Sequence, residues 1–85
     1  MTNQNVKNNW AKIREIHNRL LGQGFIFTKF YVKDMPFDGA HDVLEYVSPM
    51  YRVEVEWDSY GLERDQDLKV FVEHFPHGTL PKELR

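Results

Sequence analysis

The chain has 85 residues, 41% of them hydrophobic and 14% aromatic, and a net charge of −2. That is one domain with enough apolar side chains to collapse, and its core claims most of them, which weighs against a deep cofactor pocket. With no cysteine in the chain, disulfides, thiolate nucleophiles and cysteine zinc sites are excluded.

The opening Met-Thr-Asn-Gln-Asn is polar, whereas a secretory signal needs an apolar run of about 7–15 residues. No apolar stretch approaches the roughly 20 residues of a membrane span. The expected compartment is the cytoplasm, without a membrane partner.

A helix is predicted from Val6 to Leu21. At about 100° per residue, Val6, Trp10, Ile13, Ile16, His17, Leu20 and Leu21 share one arc of about 140°, with Asn9 the only other residue inside it. Asn5 is placed to cap the start, and Gly22 or Gly24 to end it. By this wheel Trp10 belongs to the docked face.

Phe25 to Lys33 then reads as a strand, rich in aromatic and β-branched residues. Strict alternation puts Ile26, Thr28, Phe30 and Val32 toward the helix, and Phe25, Phe27 and Tyr31 on the opposite face. Asp34 to Gly39 is a loop by its Pro and Asp-Gly content. Residues 42–48 read either as a short strand or as a helical turn, stopped by Pro49. Tyr51 to Asp58 alternates cleanly, with Val53, Val55 and Trp57 on a buried face. Residues 59–66 form a polar connection, and Leu68 to Phe75 is the last strand. Residues 1–5 read as a flexible start and 76–85 as a loose tail. The expected fold is α+β: one N-terminal amphipathic helix on a three- to four-stranded antiparallel sheet, a meander.

Charge is segregated along the chain. Residues 1–33 carry six bases and one acid, whereas residues 34–67 carry ten acids and two bases. Glu54, Glu56 and Asp58 stand at every second residue of one strand, and Glu63, Asp65 and Asp67 follow in the next connection, with Tyr60 between the two groups. These seven residues are the candidate site, an acidic surface with an aromatic anchor for a basic protein partner. The competing reading is a solvated face paired with Lys29, Lys33 or Lys69.

Lys7, Lys12, Arg14 and Arg19 on the helix raise a nucleic-acid reading. They flank both sides of the polar arc, and the net charge of −2 disfavours it. His17, inside the apolar arc, reads as a histidine satisfied by the sheet, with a small enzyme or ligand carrier as the sharper alternative. His74 and His77 are separated by Pro76, and Asp34, Asp38 and Asp42 miss the calcium-loop spacing. No nucleophile, phosphate-loop or zinc-protease motif occurs.

The expectation is therefore a small non-catalytic binding protein of inhibitor, immunity or adaptor type, without metal or cofactor. Apolar side chains expected on the helix-free face, Phe71 and Phe75 among them, and an open strand edge also permit a homodimer. A Glu54→Lys, Glu56→Lys double reversal is expected to weaken partner binding without unfolding the chain.

Overall fold

The computed structural model describes residues 3–37, 39–76 and 81–84. Helix α1 (Gln4–Gly22) precedes four strands, β1 (Ile26–Met35), β2 (Gly39–Val47), β3 (Tyr51–Asp58) and β4 (Lys69–His74). The strands make one antiparallel sheet in the order β1-β2-β3-β4. This is the expected α+β meander, with four strands. Among the described residues no helix is long and apolar enough to cross a membrane.

Helix α1 begins two residues before the predicted start. Asn3 is its cap, the side-chain oxygen accepting the Asn5 N–H at 2.8 Å. Asn5 is used differently: its amide donates to the Glu63 carbonyl at 3.1 Å. At the other end Gly24, at φ 91°, takes the left-handed conformation that turns the chain into β1.

Asn9, Ile13 and Leu20 are the buried residues of the helix, and Trp10 stays half-exposed, its ring edge-on to Trp57 at 6.3 Å. The docked arc is therefore rotated toward Asn9 relative to the helical wheel. The cause is the connection between β3 and β4, which lies against the N-terminal half of the helix. Asn9 Nδ2 donates to the carbonyls of Leu62 at 2.9 Å and Arg64 at 2.7 Å. Leu62 and Leu68 from this segment pack against the core formed by Ile13, Leu20, Tyr46, Val53, Val55 and Trp57.

β1 departs from strict alternation. Its register against β2 shifts between Phe27 and Lys29, a bulge at Thr28. One extra residue moves every side chain beyond it to the other face. Phe27, Phe30 and Val32 thus stand opposite Tyr46, Leu44 and Asp42, on the helix side. Ile26, Lys29, Tyr31 and Lys33 share the helix-free side. This corrects the expected grouping: Phe25 and Phe27 are not on the helix-free face, and Phe25 packs on the core.

Residues 42–47 are strand, part of a β2 that starts at Gly39, and Ser48 follows its end. The predicted loop shrinks to a turn between Met35 and Gly39, and Gly39 leaves it at φ 77°. At the C-terminal end Pro81 is buried, Lys82–Leu84 forms a 3-10 turn, and Glu83 lies 3.5 Å from Arg52. The rest of the expected tail past Pro76, and Met1 and Thr2 of the expected flexible start, lie outside the described residues.

Candidate functional site

The helix leaves one sheet face free, yet β2 is buried there too. Val43 and Val47 are fully enclosed, and His41 and Glu45 nearly so. Long polar side chains from the flanking strands cover them. Glu45 sits directly opposite Glu54 across the β2–β3 pair, an arrangement that would repel if both carboxylates stood upright. They part instead. Glu45 turns to Thr28 Oγ1 at 2.9 Å, Lys29 Nζ at 3.9 Å and Arg52 Nε at 3.4 Å. Glu54 accepts the Tyr31 hydroxyl at 2.5 Å. That hydrogen bond, followed by burial and the charges of Glu54, Glu45 and Glu56, pushes the Tyr31 phenol up to about 12.

Glu56 belongs to the same face and is 4% exposed. His41 Nδ1 lies 2.5 Å from its Oε1, and Lys33 Nζ 3.5 Å from its Oε2. A carboxylate only accepts, so the proton of the first bond sits on Nδ1. Burial pushes the Glu56 carboxyl up. The His41 hydrogen bond, Lys33 and the His41 charge outweigh it, and the net direction is down.

Where β3 ends, the chain folds into a polar cleft of about 440 Å³, lined by Glu56, Asp58, Arg64, Asp65 and Asp67 among others. Asp58 holds the turn, accepting the Tyr60 N–H at 3.0 Å and pairing with Arg64 at 2.8 Å. This pair closes over Gly61, where an added Cβ would sit 2.8 Å from the Asp58 carboxylate. Asp65 faces Lys12 of the helix at 2.8 Å. Among the described residues no cluster of three metal-ligating side chains occurs.

Two aromatic rings stand out at this end of the sheet. Phe37, in the β1–β2 turn, is 98% exposed, and Tyr60, in the β3–β4 connection, is 82% exposed. The turns that carry them are neighbours: Ser59 N–H donates to the Ala40 carbonyl at 3.0 Å, and a Cβ on Gly39 would lie 3.9 Å from the Tyr60 ring.

The seven predicted residues thus fall in three places. Glu54 and Glu56 lie on the helix-free face, each held by neighbouring strands. Asp58 joins that row to the cleft. Tyr60, Glu63, Asp65 and Asp67 line the connection, where the three acids are exposed. Of the helix bases, Lys12 is tied to Asp65 and Arg19 to Glu15 at 2.8 Å. His17 Nδ1 lies 2.6 Å from Tyr46 Oη, inside a cluster of its own ring with Phe27 and Tyr46.

Phe37 was not among the predicted residues. The signal for it is Met-Pro-Phe-Asp-Gly, which places a phenyl ring at a turn tip that neither sheet face shelters. His41 was likewise missed, because its role rests on Glu56, a partner on another strand. Comparison with known protein families, characterised proteins and solved structures finds no match to this chain.

Proposed function

We propose that the chain is a small non-catalytic protein-binding module, of inhibitor, immunity or adaptor type. It masks a basic partner with an acidic, aromatic-bearing surface. The observation that carries this reading is the pair of almost bare rings, Phe37 and Tyr60, on adjacent turns at one end of the sheet. A fully solvated phenyl and phenol cost hydration free energy that only a partner recovers. Aromatic anchors inside a charged rim are the usual carriers of binding energy.

Glu63 and Asp67 supply the negative rim, exposed in the same connection as Tyr60, with Asp65 between them paired to Lys12. They steer a basic surface into place, and the two rings bury on contact. Glu54, Glu56 and Asp58 stand behind this end. Their carboxylates are committed to Tyr31, His41 with Lys33, and Arg64, so they shape the platform more than the contact.

The test is affinity capture from source-cell lysate, nuclease-treated, with wild type beside a Phe37→Ser, Tyr60→Ser double variant. A discrete protein partner held by wild type and lost from the folded double variant supports the reading. Equal capture by both, or material that vanishes with nuclease, overturns it.

A further inference from the structure

The two edges of the sheet are not alike. β1 carries a bulge and, on the helix-free side, Lys29 and Lys33, devices that discourage a further strand from pairing. β4 is regular over its whole length against β3, contains no proline, and is exposed at every residue. Val70 is 48% exposed, Phe71 52% and Val72 62%.

The direction of its backbone groups follows from one bond. Phe75 N–H donates to the Met50 carbonyl at 2.8 Å. In an antiparallel ladder alternate residues point the same way, so Glu73, Phe71 and Lys69 also turn their backbone groups to β3. Val70, Val72 and His74 turn theirs outward. Among the described residues no strand meets them.

We infer that β4 pairs antiparallel with β4 of a second copy, about a two-fold axis through Phe71, to join two sheets into one. In that register alone Lys69 and Glu73 stand opposite each other. Phe71 faces Phe71 of the second copy, Val70 faces Val72, and Lys69 faces Glu73. The outward groups of Val70 and Val72 exchange the N–H···O=C bonds. On the helix-free side the stacked phenyls are flanked by two Lys–Glu pairs of opposite charge. Lys69 and Glu73 are both exposed, and neither enters an ion pair among the described residues. Sliding the register by four residues, to centre it on Glu73 or Lys69, sets like charges face to face, and sliding it by two, to centre it on Val70 or Val72, sets Phe71 opposite Lys69 or Glu73 and loses both charge pairs. Neither Phe37 nor Tyr60 belongs to β4 and the two tests change different residues, so the inference stands or falls independently of the partner reading.

Sedimentation of the intact chain up to about 1 mM should show mass rising from 10.2 kDa toward twice that value. Val72→Pro removes an outward N–H that no bond within the chain uses, and should hold the mass at 10.2 kDa with an unchanged far-ultraviolet spectrum. Because the chain has no cysteine, single thiols report the register. Under mild oxidation Phe71→Cys should cross-link to a covalent dimer, its Cα atoms about 4.5 Å apart. Glu73→Cys, about 13 Å from its own copy, should not. A monomer at every concentration overturns the inference. So does a folded Val72→Pro variant that still dimerises, or cross-linking at Glu73→Cys as fast as at Phe71→Cys. If Val72→Pro fails to fold, the two thiol variants decide.

Discussion

The side-chain amide of Asn9 donates to the backbone carbonyl of Arg64 at 2.7 Å, and its second N–H reaches the Leu62 carbonyl at 2.9 Å. One fully buried side chain on α1 therefore satisfies two carbonyls of a connection that has no secondary structure of its own. This clamp sets the rotation of the helix on the sheet, and it places the connection that carries Tyr60, Glu63 and Asp65.

Asn9→Ala should lower stability by about 2–3 kcal/mol, since it strands two carbonyls that had charge-neutral donors. Asn9→Asp should cost more, because it sets a carboxylate against those same carbonyls. Urea unfolding followed by circular dichroism checks the order, with the midpoint moving and the slope unchanged. Equal midpoints for wild type and Asn9→Ala would show that the connection holds itself.

Tyr31 gives an alkaline signature. Its phenol is held up to about 12 by the hydrogen bond to Glu54, with burial and nearby carboxylates adding to it. The folded state then keeps a proton that the unfolded state releases near 10. The stabilisation is full below about pH 10 and is lost as pH rises toward 12. Burial raises the Tyr46 phenol as well, so ultraviolet titration should show a late fraction that loses one tyrosine in Tyr31→Phe, and the Tyr31 midpoint should fall toward 10 in Glu54→Gln.

Glu56 acts at the opposite limb. Burial raises its carboxyl, but the hydrogen bond from His41 and the neighbouring Lys33 carry it below the usual carboxylate value. Its contribution is full above about pH 4.5 and is lost as pH falls through the lowered value. Glu56→Gln should therefore be less stable than wild type at neutral pH by about 1–3 kcal/mol. The gap should close on acidification, as followed by denaturant midpoints from pH 7 downward.

Element order and the buried row Val53, Val55 and Trp57 were legible from local signals: period in the helix, alternation in β3, and Pro or Gly at the breaks; residues 42–48 stayed open between strand and helical turn, and with them the choice of three strands or four. The bulge at Thr28 was not. It depends on Glu45, whose carbonyl and carboxylate both lie within 3.0 Å of the Thr28 hydroxyl across the strand pair. Asn9 was seen inside the apolar arc but had no partner in the sequence, since Leu62 and Arg64 are brought to it only by the meander. The acidic residues were found by spacing, but their committed partners, Tyr31 and His41 foremost, sit on other strands. Charge patterning locates carboxylates; it does not say which are neutralised.

That difference separates two charge reversals that look alike in sequence. Glu54→Lys with Glu56→Lys sets a new cation beside His41 and Lys33, in a position that is 4% exposed, and another against Tyr31. Contrary to the expectation from spacing, this variant should unfold or lose several kcal/mol, about what breaking a buried ion pair costs. Glu63→Lys with Asp67→Lys changes two exposed acids that enter no ion pair among the described residues. Its stability should stay within about 0.5 kcal/mol of wild type. Its association with a basic partner should slow at low salt, and the deficit should shrink as salt is raised. Stopped-flow association at two ionic strengths, beside a urea melt of each variant, measures both. A folded Glu63/Asp67 reversal that associates as fast as wild type would remove the acidic rim from the docking surface and leave Phe37 and Tyr60 to carry it alone.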